Sequence, residues 1–473
     1  MIHSHDRNRI FFRKQVFDGA SRSIARIVLS FPVGLLLLFT LVNCGIGHNA
    51  LGTFNGTGES STDLLYLALL LSAPSSDSSG TNNTQIAGGR EHSCYLSAAG
   101  TVRCWGLADR GQLGYGNTNN IGDDESPASA GDVNVGGTVT QIAAGAYHTC
   151  ALLNTGSVRC WGENTLGQLG YGNTNNIGDD ETPASAGDVN VGGMATQIVA
   201  GGRHSCVLLD TGSVRCWGGG LSGRLGYGNT NAIGDDETPA SAGDVNVGGT
   251  VRRIAAGGFH TCVILDNGSV RCWGGGISGQ LGYGNTNNIG DDETPASAGD
   301  VNVGGTVSQV AAGSSYTCAV LETGSVRCWG LGTFGRLGYG NTNIIGDDET
   351  PASAGDVNVG ATVAQIAAGA AHTCVISGTG TVRCWGQGSS GQPGYGNSND
   401  IGDDETPASA GDVNVGGTVT QIDAGDNHNC AIVDTGSVRC WGDGANGRLG
   451  YGNTNSIGDN PAEMPPADVN VVE

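Results

Sequence analysis

The chain restates one phrase with a period of 56 residues. Cys104, Cys160, Cys216, Cys272, Cys328, Cys384 and Cys440 stand 56 apart, with no insertion or deletion between them. Each has a companion with nine residues between: Cys94, Cys150, Cys206, Cys262, Cys318, Cys374 and Cys430. One unit of this size cannot bury its own apolar face, so such units must stack with a common geometry. Without that regularity a 473-residue chain would divide into two or three domains. With it, the repeats build one quasi-symmetric body.

Within a unit the short runs "DVNV", "VTQIAAG", "HTCALL" and "SVRCWG" read as strands, being rich in β-branched residues and bounded by glycine. Between the last two lies a three-residue loop, "NTG" or "DNG". Glycine in third place suits a type I turn closed by a left-handed residue. Counting outward from Thr155 places Cys150 and Cys160 directly opposite on antiparallel strands, in the narrow pair where side chains come closest. Each cysteine pair is therefore expected to form a disulfide across its own hairpin, adding about 2–3 kcal/mol. Buried free thiols are the rival reading. Zinc is disfavoured, because two cysteines and one histidine per unit fall short of a tetrahedral set. Fourteen paired cysteines point to an oxidising compartment.

Four strands repeated seven times imply a seven-bladed β-propeller. The phrase also resembles the RCC1 repeat: a glycine-x-x-histidine step at residues 145–148, a turn glycine at Gly156, Trp161–Gly162, and "GQLGYG" at 167–172. The resemblance runs from residue 84 to the C-terminus and implies the same all-β, seven-bladed fold. Tyr316 in place of histidine and Pro393 in place of leucine are its departures. A "DVNV" precedes each "QIAAG"-type strand except the first, and a seventh ends the chain at 468–471. The expectation is a ring closed by this C-terminal strand, paired beside residues 84–89. Closure would remove exposed sheet edges.

The repeated residues have structural readings. The seven tryptophans are expected to pack between blades rather than stack on a ligand. The histidines, from His92 to His428, are expected to bond backbone at strand entries. "IGDDE", first at 121–125, lacks the alternating acidic pattern of calcium loops and is expected to face the repeated arginines (Arg103, Arg159, Arg215 and their equivalents). No G-x-S-x-G, Walker or zinc-protease motif occurs, and a residue present in nearly every blade suits no unique catalytic role. The reading is a non-enzyme with no cofactor and no metal. A net charge of −23 disfavours nucleic acid.

The N-terminus differs in kind. Residues 1–26 carry Arg7, Arg9, Arg13, Lys14, Arg22 and Arg26, and an apolar run follows at 27–42. The run is short for a spanning helix and right for a signal-peptide core. The segment "LVNC", residues 41–44, resembles the lipobox of bacterial lipoproteins, with Asn43 where a small residue is usual. The resemblance implies cleavage after residue 43 and lipid on Cys44, which accounts for the unpaired fifteenth cysteine. Plain secretion and an uncleaved anchor are the alternatives. Residues 44–83, rich in Gly, Ser, Asn and Thr, read as a flexible tether to the propeller at 84–473.

The repeats disagree in two places. One is the pair before the histidine position, from Arg90-Glu91 to Asp426-Asn427. The other is the four residues after Trp-Gly: "LADR", "ENTL", "GGLS", "GGIS", "LGTF", "QGSS" and "DGAN". In an antiparallel meander both follow strands of the same direction, so both fall on one face of the disc. Variable loops on a fixed frame make a binding surface. Arg90, Arg110, Tyr147, Arg203, Phe259 and Phe334 are the expected anchors there. Together these readings describe a non-catalytic binding module, membrane-anchored in a bacterial envelope, recognising a protein or glycan. The resemblance supplies two alternatives. Some secreted propellers of this repeat family, the β-lactamase inhibitory proteins, block an enzyme. The eukaryotic namesake exchanges guanine nucleotide on a small GTPase at chromatin, which an exported chain would not meet. Palmitate labelling of growing cells checks the anchor: label should be present in the native chain and lost in Cys44→Ala.

Overall fold

The computed structural model describes residues 25–29, 37–41 and 84–471. The first two stretches belong to a unit separate from the propeller. There Ala25–Leu29 and Leu37–Leu41 pair as antiparallel strands, Ala25 opposite Leu41, at the start of and within the apolar run. Cys44 and the tether at 44–83 lie outside the described residues. Among the described residues no helix is long and apolar enough to cross a membrane.

The larger unit is all β. Seven three-stranded antiparallel sheets follow one another in sequence, each contributing an inner, a middle and an outer strand. In the second blade these are Val139–Ala144, His148–Leu153 and Val158–Gly162. The middle strand is buried at every residue, because neighbouring blades cover both faces of its sheet. That is why "HTCALL" shows no alternation of apolar and polar residues. The hairpin turn is as the sequence implies: Gly156 has φ +79°, and the Leu153 and Gly156 amides donate to the Ser157 and Leu153 carbonyls at 2.8 and 2.9 Å. Cys150 faces Cys160 in register, and all seven pairs are disulfides with Cα atoms 4.0–4.1 Å apart. These staples mark an oxidising, extracytoplasmic setting.

The "DVNV" segment differs from expectation. It ends its own blade instead of opening the next. Val189 pairs with Val158 of the outer strand at a single bridge, its amide donating at 2.8 Å. The next carbonyl, of Asn190, turns away and accepts from Ala240 of the following blade at 3.0 Å. The fourth strand is thus reduced to a strap between blades. The C-terminal strap obeys the same rule: Val469 pairs with Val438 of the last blade, not with residues 84–89. The ring still closes through it. Asn470 accepts from the Ala128 amide at 3.0 Å, and Val471 accepts from Arg103 Nη1 at 3.0 Å.

The repeated arginines serve these straps. Arg159 Nε donates to Asp188 of its own "DVNV" at 2.8 Å, and Nη1 donates to the Val135 carbonyl of the preceding one at 2.6 Å. The expected pairing of these arginines with "IGDDE" is replaced by the "DVNV" aspartate. Toward the axis, Gln141 bonds the backbone of Ile198 in the next blade through both amide atoms, at 3.0 Å each.

The histidines also differ from expectation, bonding side chain rather than backbone. His148 Nε2 lies 2.9 Å from Ser205 Oγ of the next blade. Ser205 donates its own proton to the Gln168 carbonyl at 3.0 Å, so Nε2 carries the imidazole proton and donates. The Trp217 indole N–H reaches the same Gln168 carbonyl at 3.0 Å. Tyr316 substitutes by donating to the His372 carbonyl.

Burial pulls the His148 pKa down to about 4, below the 6.5 of an unfolded chain. A group depressed in the folded state supplies stability above its unfolded pKa and loses it as pH falls. Raised carboxylates such as Glu181, pushed up to about 7 by burial and Asp180, act in the opposite sense. A His148→Gln variant isolates the histidine. Its deficit against the native chain should shrink by about 1.4 kcal/mol per pH unit between pH 6.5 and 4. Urea midpoints at several pH values check this, and a constant deficit contradicts it.

Candidate binding face

The two variable positions of each blade meet by backbone hydrogen bonds. Glu163 N donates to the Tyr147 carbonyl at 2.8 Å, Gly219 N to Arg203 at 2.9 Å, and Gly275 N to Phe259 at 2.9 Å. The strand ends fix this pairing, since the inner-to-middle loop and the outer strand leave the sheet on the same side. The inner strands surround an axial channel whose walls are repeated alanines and glycines. At the variable face it opens into a cavity of about 440 Å3. Arg90, Tyr147, Arg203 and Phe259 all line it, with Leu166, Leu221, Arg224 and Asp426.

Arg110 joins this group through Tyr147. The tyrosine ring sits under two guanidinium groups, Arg110 at 4.7 Å and Arg90 at 5.4 Å from its centroid. Both cations are neutralised: Arg110 by Glu163, and Arg90 by Glu91 and Asp426 at 3.7 and 3.8 Å. Phe259 packs over Arg224 at 5.5 Å and Phe334 over Arg336 at 5.5 Å. Phe334 lies outside the cavity lining. Leu221 and Ile277 of the same variable loops are 64% and 79% exposed, beside Phe259 at 49% and Phe334 at 41%. The sequence reading favoured aromatics and arginines and missed these two aliphatics. It also missed Arg224, Arg336 and Arg448, which stand where other repeats have glutamine.

That exchange reshapes the loop. Gln168 accepts from the Leu166 amide two residues earlier at 2.9 Å, and Gln112, Gln280 and Gln392 do the equivalent. Arginine has no acceptor there. Arg224 Nε instead donates to the Leu221 carbonyl three residues earlier at 3.0 Å, as Arg336 does to Thr333 and Arg448 to Ala445. The carbonyl and the amide belong to the same peptide unit, so a donor in place of an acceptor turns that unit over. The residue after it is then left-handed: Ser222, Phe334 and Asn446 have φ of 60°, 63° and 58°.

The acidic loops form tight triplets, Asp179, Asp180 and Glu181 among them. The glycine loop of the preceding blade packs on each: a Cβ on Gly111 would come within 2.4 Å of the Asp179 amide.

The RCC1-like domain family matches residues 40–407, and the regulator of chromosome condensation (RCC1) repeat matches residues 419–448. The chain belongs to the RCC1-like propeller family. Over 376 residues it is 29% identical to the ultraviolet-B receptor UVR8 of Arabidopsis thaliana, covering 78% of each chain. It is 29% identical over 376 residues to human E3 ubiquitin-protein ligase HERC2, but spans only 7% of that protein's length. Yeast RCC1 (Prp20), solved bound to Kap60, superposes with a TM-score of 0.61 at 17% identity, covering 90% of this chain and 91% of the yeast one. Human WBSCR16 gives 0.58 at 22% identity, covering 74% and 90%. Both structures share the fold.

The left-handed loops allow a direct check. Ser222→Gly should raise stability by up to about 1 kcal/mol, since glycine accepts that conformation without penalty. Ser278→Gly, at the equivalent glutamine-type position, should lower it or leave it unchanged. Denaturation midpoints of the two variants give the comparison.

Proposed function

We propose that this propeller is a non-catalytic binding module that holds a protein partner on the face bearing Arg90, Arg110, Tyr147, Arg203, Phe259 and Phe334. The observation that carries the reading is the distribution of exposed apolar side chains. Of six large ones among the described residues, Leu221, Phe259, Ile277 and Phe334 belong to the variable loops of this face. Aliphatic and aromatic groups set among arginines mark a protein interface. The aliphatics favour a protein over a glycan. The lipobox-like "LVNC" supports lipid attachment at Cys44, which would hold the module on an envelope membrane with the tether as spacer. Yeast RCC1, which shares this fold, was solved bound to another protein, Kap60.

The test is affinity capture from envelope extracts under oxidising conditions. A partner retained by the native chain should be lost or weakened at least tenfold in the Tyr147→Ala, Phe259→Ala double variant, each residue being an exposed aromatic anchor. Undiminished capture of every partner would remove the reading.

A further inference from the structure

Resting on that face, we propose that the channel mouth beside blades three and four is a receptor for the carboxylate of an acidic, partly apolar peptide segment on the protein partner. Three buried arginines occupy equivalent positions in blades three, five and seven. Arg336 uses its terminal nitrogens on the Ala370 carbonyl and the Thr333 hydroxyl, at 3.2 and 2.8 Å. Arg448 uses its own on the Arg90 carbonyl and on Glu91 and Asp443. Arg224 differs. It is 6% exposed and lines the cavity, its Nε is held by the Leu221 carbonyl, and its two terminal nitrogens meet no acceptor among the described residues.

Arg203 lines the same cavity and makes no ion pair among the described residues. Two guanidinium groups thus converge without a counter-ion, in a chain of net charge −23. The other cations of this mouth have theirs, as Arg90 has Glu91 and Asp426. A forked guanidinium held by packing matches a carboxylate in geometry and charge. Leu166, Leu221 and Phe259 wall the site and would take apolar flanking residues. The surrounding negative charge repels an extended polyanion and tolerates one or two carboxylates.

A phage-displayed library of random octapeptides, panned on the oxidised full chain in detergent, tests this. The enriched peptides should carry Asp or Glu next to Leu, Ile or Phe. Replacing that acid by its amide, or introducing Arg203→Gln with Arg224→Gln, should weaken binding about tenfold or more. Glutamine already occupies the Arg224 position in four blades, so the variant should fold cooperatively, and Arg203→Gln alone, which leaves the Leu221–Ser222 peptide as it is, should also weaken binding. Acid-free peptides, binding indifferent to both arginines, or no enrichment would each overturn the proposal. Acid-free peptides that still require Phe259 would leave the binding face standing and remove only the carboxylate receptor.

Discussion

One backbone carbonyl per blade holds the disc together. At Gln168 it accepts the indole N–H of Trp217 and the hydroxyl of Ser205 from the next blade, and that hydroxyl oxygen accepts a hydrogen bond from His148 Nε2. All of these groups are buried, so the junction is sealed from water. An unpaired polar group there would carry its full desolvation penalty. In five of the seven junctions the tryptophan is therefore fixed by direction as well as by area, while the Trp273 and Trp329 indole N–H groups meet no acceptor among the described residues. The requirement explains why an indole, a small hydroxyl and an imidazole recur together. It also explains the exchange at the hydroxyl position: Asn429 replaces the hydroxyl with an amide that donates to the Gln392 carbonyl at 2.8 Å and faces His372 at 2.9 Å.

Much of this was legible in the sequence. The period gave the number of blades, and the turn glycine fixed the register that sets Cys150 against Cys160. Local rules suffice where a feature depends on residues a few positions apart. They failed where the partner lies one blade away. "DVNV" reads as a complete strand by its alternation, yet Asn190 bonds the following blade and leaves a single bridge to its own. The histidines read as bonding backbone because their side-chain acceptors stand 57 positions on. Within a blade the local rules also failed over a longer span, where the aspartate 29 positions on took the arginine from the acidic loop nearer in sequence. The common face of the variable loops was legible from strand direction alone. The exposure of Leu221 and Ile277 was not, because similar aliphatic residues elsewhere are buried.

The scaffold and the face answer to different pressures. Strap, hydroxyl junction and amide clasp sit at fixed repeat positions and bind blade to blade, while each hairpin carries its own disulfide. That division leaves the loop residues free to differ, and the frame tolerates exchanges there as large as Arg90 for Ala146 or Phe259 for Ser315. Function can then reside in loops that contribute little to holding the ring.

The overturned peptide beside Arg224 has a geometric consequence. A disc of seven identical blades would present the same aspect after each step about its axis, and a visitor could settle in any of seven settings. The alternation of two loop shapes, and the distinct surroundings of the three arginines, abolish that degeneracy. Whatever lands on this surface meets a dial with a marked hour, and its orientation about the axis is decided by the protein rather than by chance.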